Sequence, residues 1–299
     1  MHVTLFSPAK VNLFLAVTGR RADGFHDLIS VAAPLDIGDQ LVVEASADQK
    51  EGRAGSLFTL ECDHPEVPTD GSNLVLRAAE AFAAATGWSS PVHFQLTKRI
   101  PPGAGLGGGS SNAVAALRAM NQLSGGLLDE ARLTGVAAKL GSDCALFLAN
   151  APVVMRGRGE RVELLPAPAV ARLRRRRVLL FKPSFGISTP WAYQRMIARG
   201  GDYLPAAEAE SRLAAWLGGA APVEELLFNN MEPAAFEKYA ALPLLLEELR
   251  TKFGVVTRMS GSGSACYSLL GDNQVSAPLV ARIRACWGAD AFVQEARLL

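Results

Sequence analysis

The chain has 299 residues, 49% of them hydrophobic and 20% charged, with 30 Lys+Arg against 29 Asp+Glu and a formal net charge of +1. A chain this apolar collapses, which excludes a disordered protein, and its length suffices for one large domain or two ordinary ones. The near-neutral balance gives no general attraction to nucleic acid or to an anionic membrane, and no apolar run approaches the roughly 18–20 residues that span a bilayer.

Met1-His2-Val3-Thr4-Leu5-Phe6 lacks the basic and long apolar stretches of a targeting segment, so a cytoplasmic protein is expected. Cys62, Cys144, Cys266 and Cys286 are scattered, which fits reduced thiols better than a disulfide framework or zinc site, and the four histidines are equally dispersed.

In chain order, Leu13, Leu15 and Val17 alternate with Phe14 and Ala16, and Gln40-Leu41-Val42-Val43-Glu44 is short and β-branched; both predict strands. Arg20-Arg21-Ala22-Asp23-Gly24 between them is turn chemistry, and residues 46–56 read as an exposed hairpin loop. Helical spacing runs from Leu74 to Ala85 and stops before Gly87. Val92 to Leu96 predicts a strand, Pro101 to Gly109 a glycine-rich loop, and Ser110 onward a helix with Ala113, Leu117, Met120 and Leu123 on one face. Composition changes to Pro, Ala and Arg between 157 and 177, which predicts a domain boundary near 155–175, with domains at 1–160 and 161–299. The second half offers a strand at Val178–Phe181, helices around 204–217 and 235–250, and a strand near Val255-Val256. A second glycine-rich stretch, Ser260-Gly261-Ser262-Gly263-Ser264, precedes a strand to Leu270 and a helix near 276–286. Strands and helices intermix in both halves, so the class is α+β.

The strongest chemical signal is Pro101-Pro102-Gly103-Ala104-Gly105-Leu106-Gly107-Gly108-Gly109-Ser110-Ser111. Five glycines in seven residues let backbone N–H groups approach a ligand, and the following helix adds its positive end, which together suit phosphate. Ser110 and Ser111 can cap the helix or turn a hydroxyl toward phosphate or a metal ion. A Walker A loop would need lysine where Gly109 stands. Gly103, Gly105 and Gly108 satisfy a dinucleotide fingerprint, but Asp129 reads as a helix start rather than its ribose-binding acid. A phosphate loop of another kind and a plain flexible turn are the remaining readings.

Three segments in order carry a resemblance: Ser7-Pro8-Ala9-Lys10-Val11-Asn12-Leu13, the glycine loop, and Arg258-Met259-Ser260-Gly261-Ser262-Gly263. They resemble the GHMP kinases, which phosphorylate small-molecule hydroxyls with ATP. With Arg21-Ala22-Asp23-Gly24-Phe25-His26 added, the chain is similar to the branch of that family acting on 4-diphosphocytidyl-2-C-methyl-D-erythritol in the non-mevalonate route to isoprenoid precursors. The resemblance implies an N-terminal domain like the second domain of ribosomal protein S5 and a ferredoxin-like C-terminal domain. Homoserine, mevalonate or a sugar is the alternative acceptor. An oxidoreductase would instead require a parallel sheet and nicotinamide, and a non-catalytic module would not depend on Asp143.

Phosphoryl transfer needs a held γ-phosphate, an aligned hydroxyl and a proton acceptor. The resemblance implies that Asp143 is the general base, with Lys10 as the cation beside it. Taken alone, Asp143 reads sooner as a helix cap and Lys10 as a solvated strand-edge charge. Asn12, two residues from Lys10, shares its strand face. The resemblance places Asn12 beside the substrate, His26 on the cytosine edge and Tyr193 against the cytosine ring, with Phe185 and Trp191 as rival aromatics. Phe25 stands where the family has tyrosine and Ser260 where threonine is common; Cys144-Ala145-Leu146 replaces a Val-Pro-Phe-like stretch. Asn73 and Lys98 match positions near the adenine. Gly261, Ser262 and Gly263 match the motif that closes on the phosphate loop and substrate. Mg²⁺ is expected with ATP, held mainly by phosphates and water, with Ser110 or Ser111 as the best protein ligand. No nucleic acid or membrane partner is expected, the assembly being a monomer or homodimer, and Arg174-Arg175-Arg176-Arg177 reads as a solvated run.

Overall fold

The opening strand is longer than its alternation suggests, because it is covered on both faces over much of its length. In the computed structural model, which describes residues 2–45, 56–200 and 202–299, β1 (His2–Arg20) is buried continuously from Ser7 to Val17. The turn after it returns the chain as β2 (His26–Ala45). The loop expected at 46–56 lies, but for Ser56, outside the described residues.

The chain forms two compact units that are not contiguous in sequence. One comprises Met1–Ala9, Ile37–Pro102 and Gly107–Asn150; the other comprises Lys10–Asp36, Gly103–Leu106 and Ala151–Leu299. Both β1 and β2 therefore contribute residues to each unit.

In the first unit the second half of β2 pairs antiparallel with β4 (Val92–Thr97), which pairs parallel with β3 (Phe58–Cys62). Helix α1 (Leu74–Thr86) packs on α2 (Gly108–Leu123), followed by α3 (Glu130–Leu140) and α4 (Cys144–Ala149). The Asn73 side chain opens α1 by accepting from Val75 N, and Gly87, at φ +76°, closes it as the sequence indicates. Ala113, Leu117 and Met120 of α2 are buried as expected. The helix starts at Gly108, two residues earlier than Ser110, because Gly107 takes the left-handed conformation (φ +72°) that lets the chain turn into it.

In the second unit the first half of β2 pairs antiparallel with β5 (Val153–Gly157), and β5 with β6 (Arg161–Leu164). β1 pairs parallel with the two-residue β8 (Phe228–Asn229). Separately, β11 (Phe292–Arg297), β7 (Arg177–Lys182), β10 (Cys266–Leu270) and β9 (Thr257–Met259) form an antiparallel sheet in that order. The remaining helices are α5 (Ala167–Leu173), α6 (Thr189–Arg199), α7 (Ala206–Gly218), α8 (Glu232–Lys238), α9 (Ala241–Phe253) and α10 (Ala277–Trp287). Phe181, Met196, Leu242, Leu245, Leu249 and Ile283 share one core.

The class is α+β, and its mainly antiparallel pairing excludes the doubly wound parallel sheet of the oxidoreductase reading. The single helix expected at 235–250 is two. Tyr239 leaves the helical region at φ −111° and ψ 68°, and Pro243 bars continuation because its ring would strike the carbonyl four residues back. Of the arginine run, Arg174 is exposed, but Arg176 pairs with Glu224 and Arg177 donates to the carbonyls of Gly271, Asp272 and Gln274 and to Glu295. Among the described residues no helix is long and apolar enough to cross a membrane.

Phe82 of α1 is fully buried. Phe82→Ala should therefore cost about 3–5 kcal/mol in chemical denaturation, whereas truncating exposed Leu244 of α9, 71% accessible, should cost under about 1 kcal/mol.

Candidate functional site

The glycine loop is divided between the two units, with Gly103–Leu106 in one and Gly107 onward in the other. In the unit that holds α2, Gly107, Gly108 and Gly109 open the helix, and no side chain caps it. Its first N–H groups thus face outward with the positive end of the helix behind them. Ser110 is half-buried at this end, whereas Ser111 is buried and its hydroxyl accepts from Ser7 Oγ at 2.9 Å. Of the two serines, Ser110 is the one open to a ligand.

The turn before α4 packs against this helix start. A Cβ on Gly141 would lie 3.6 Å from Ser110 Oγ, and the Cys144 thiol points to the Ser110 carbonyl at 3.8 Å. Burial pushes the Cys144 thiol up to about 12, which leaves it an inert packing group. Asp143 stands between them, half-buried and at the N-cap position of α4, but its side chain makes no cap bond to that helix. The bland capping role is therefore not the one its side chain plays.

Beneath α2 lies a polar cluster that sequence reasoning missed. Asp39 is wholly buried and accepts from Arg99 N at 2.7 Å, Ile100 N at 2.8 Å, Asn112 Nδ2 at 2.9 Å and the Lys98 ammonium. Asn112 also donates to Ser7 Oγ at 2.8 Å. Lys98 thus spends its charge on a buried carboxylate, and Asn73 spends its amide on capping α1 and on the Pro68 carbonyl. The available signal for this cluster was period two, which puts Asp39 on the same strand face as Leu35 and Leu41, whereas Asp36 and Gln40 face outward.

In the other unit, Lys10 is buried and its ammonium donates to Asn12 Oδ1 at 2.5 Å. Asn12 Nδ2 donates to Ser30 Oγ, and Ser30 in turn to the Phe14 carbonyl. The Tyr267 hydroxyl donates to the Asn12 carbonyl at 2.9 Å. The segment Gly103–Leu106 is tied to the second glycine stretch. Ser260 Oγ donates to Gly105 O at 3.0 Å, Ala265 N donates to Ala104 O at 3.0 Å, and Lys10 N donates to Leu106 O at 2.9 Å. Gly105, at φ +78°, admits no side chain, since a Cβ would collide with the Ser260 carbonyl. Gly261 sits with its Cα hydrogen toward Gly105 O and Asn12 Oδ1, and Ser262 Oγ meets Thr189 Oγ1 at 2.8 Å. Gly263 (φ +84°) leaves room for the Met259 sulfur. The sequence-selected Asn12, Gly105, Gly261, Ser262 and Gly263 therefore converge, with Gly103 in the same unit, while Pro101 stays half-buried in the other.

His26 and Tyr193 are stacked with ring centroids 4.5 Å apart and an interplanar angle of 22°. His26 Nε2 lies 3.1 Å from the Tyr203 hydroxyl, and burial holds the imidazole below its ordinary pKa, favouring the neutral ring. Tyr203 precedes α7 outside any regular element, so no periodicity marked it. Phe25 is exposed, with the Arg158 guanidinium 4.6 Å above its ring. The rival aromatics Phe185 and Trp191 belong elsewhere, packed against Tyr239.

The descriptions that match the sequence are the GHMP kinases N terminal domain over residues 73–157 and the GHMP kinases C terminal over residues 209–288. A 4-diphosphocytidyl-2-C-methyl-D-erythritol kinase of Methylacidiphilum infernorum is 37% identical over 90% of this chain and 86% of its own. That of Synechococcus sp. (strain CC9902) is 38% identical over 95% of this chain and 94% of its own. The chain belongs to the GHMP kinase family, within its 4-diphosphocytidyl-2-C-methyl-D-erythritol kinase branch. A crystal structure of 4-(cytidine 5'-diphospho)-2C-methyl-D-erythritol kinase, 33% identical, superposes with a TM-score of 0.76 over 99% of both chains.

One further GHMP-kinase residue escaped the sequence reading. Glu232, at the start of α8, accepts from Met259 N at 2.9 Å. Burial of its carboxyl group pushes its pKa up to about 7, against the opposing pulls of the Met259 N–H and Arg258. A folded-state pKa above the unfolded value means that the unfolded chain loses its proton first as pH rises. Stability is then lost between pH about 4.5 and about 7, by about 3 kcal/mol in all. Glu232→Gln should remove this slope, so the stability of the variant relative to the parent, followed by urea denaturation, should rise by about that amount from pH 4.5 to pH 8.

Proposed function

We propose that this GHMP kinase transfers the γ-phosphoryl group of ATP to the 2-hydroxyl of 4-diphosphocytidyl-2-C-methyl-D-erythritol. The observation that carries the reading is the uncapped glycine start of α2 with the Asp143 turn packed beside it. The helix start offers backbone donors to phosphate oxygens, and Asp143 accepts the hydroxyl proton. In a loose transition state that proton leaves late, so an ordinary carboxylate suffices.

Lys10, oriented by Asn12, supplies the positive charge that offsets charge building on the transferring group. Gly103, Gly105, Leu106, Gly107, Gly108, Gly109 and Ser110 make the phosphate loop, with Pro101 leading into it. Ser111 supports the loop from beneath through Ser7. Lys98 and Asn73 act on the nucleotide through the backbone they fix rather than by direct contact. Gly261, Ser262 and Gly263 close on the substrate. His26 and Tyr193 read the cytosine, offering a ring edge that donates or accepts and an aromatic face, and Phe25 adds a second face.

Among the described residues no group of three or more His, Cys, Asp or Glu could hold a metal. Mg²⁺ would be held mainly by ATP phosphates and water, with the half-buried Ser110 hydroxyl as the protein group to complete its shell. When bound, the ion neutralises phosphate charge. The chain's own part is to fix the phosphates, align the alcohol and take its proton at Asp143.

ADP release should follow addition of ATP and the diphosphocytidyl substrate, but not homoserine, mevalonate or galactose. Asp143→Asn should lower kcat by roughly 10²–10⁴-fold with KM for ATP little changed. Turnover of one of the other alcohols in place of the cytidyl compound, or an unimpaired Asp143→Asn enzyme, would overturn the reading.

A further inference from the structure

The short segment Asn229-Asn230-Met231-Glu232 lies in none of the sequence motifs, yet it makes three hydrogen bonds to the strand and turn that carry Gly261–Gly263. Asn229 Nδ2 donates to the Met259 carbonyl at 2.8 Å and to the Gly261 carbonyl at 2.9 Å. Glu232 accepts from Met259 N at 2.9 Å. The donor side is itself fixed, because Asn229 Oδ1 accepts from Met231 N at 2.9 Å, which sets the amide so that its NH₂ faces the turn. Asn230 anchors the segment to β1, accepting from Val17 N and donating to Val17 O, both at 2.8 Å. Asn229 is 4% and Asn230 8% exposed, so these are enclosed bonds with little competing water.

Side chains of the turn itself hold it at two further points, Ser260 Oγ on Gly105 O and Ser262 Oγ against Thr189 Oγ1. Gly261 and Gly263 lie at positive φ, where glycine has no side chain to lock its position. Its own closures are Ser260 N to Ala265 O and Gly263 N to Ser260 O. Those side-chain bonds leave the glycine backbone itself to be fixed through its carbonyls, and Asn229 holds that of Gly261 within the turn and that of Met259 at the end of the strand entering it.

We infer that Asn229 and Glu232 are positioning residues for the phosphoryl transfer, setting the Ser260–Gly263 turn against Gly105 and Asn12. This rests on the function proposed above, through the role given to that turn. Neither residue touches the reacting atoms; they act through the turn's backbone. Glu232 faces Arg258 on β9 and Cys266 and Tyr267 on β10, so its charge is embedded among groups of the same turn's flanking strands.

Two readouts test it. In Asn229→Ala, amide hydrogen exchange at Ser260, Gly263 and Ala265 should accelerate at least about 10-fold, while Leu179 and Leu180 within β7 keep their protection. In the same variant kcat should fall by roughly 10²-fold, with KM for ATP and for the cytidyl substrate within about 3-fold. Glu232→Ala should repeat the pattern more weakly, and Glu232→Gln, whose amide oxygen still accepts from Met259 N, should restore it. Unchanged exchange at the turn overturns the inference whatever the activity. So does accelerated exchange with kcat unimpaired, or a loss confined to KM. If Asn229→Ala fails to fold, the Glu232 pair decides: an alanine variant with parental turn exchange, or a glutamine variant no better than alanine, refutes it. A parent enzyme inactive on the cytidyl substrate defeats the proposed function instead, and the exchange comparison still decides the clamp.

Discussion

The glycine loop depends on an approach of two backbones that no side chain could survive. Gly105 and the Ser260 carbonyl are so close that even a methyl group at position 105 is excluded. This contact lets Ser260 Oγ reach Gly105 O and Ala265 N reach Ala104 O, joining two glycine stretches about 155 residues apart in the chain. Lys10, Asn12 and Tyr267 then complete one hydrogen-bonded layer around the junction.

A second layer of polar groups does the corresponding work under α2. A buried carboxylate is costly unless matched, and Asp39 is matched by a lysine, two backbone amides and an asparagine. Through Asn112 and Ser7 the cluster reaches Ser111, so the first turn of the helix is fixed from below while no side chain caps its start. The division of labour between Ser110 and Ser111 follows directly: one is consumed by the scaffold, the other is not.

Much of this was readable in the residues before the fold was known, and the reasons differ. Gly103–Ser111 announced itself because glycine density has few other causes, and Gly87 marked the end of α1 because the left-handed conformation favours glycine. The family motifs gave Lys10, Asn12, His26 and Tyr193. What stayed hidden was whatever depends on partners distant in sequence. Asp39 reads as a stray acid in a strand until Lys98 and Asn112 are folded onto it. Asn229 and Glu232 sit in a stretch with no periodicity or motif, and only the arrival of Met259 and Gly261 gives them meaning. Lys98 and Asn73 illustrate the converse, where a residue type suited to a ligand is engaged by the protein itself. The split of the 235–250 helix was visible in principle, since Pro243 forbids its continuation.

The bare start of α2 has a thermodynamic corollary. Helices usually borrow a serine or aspartate to quiet their first amides, and this one borrows nothing. An anion bound there, as the proposed function requires, would serve as the missing cap, so that nucleotide occupancy and the integrity of the first helical turn would be one equilibrium. A polyphosphate lacking base and sugar would by the same reasoning tighten that turn, raising the melting temperature in proportion to the logarithm of its concentration.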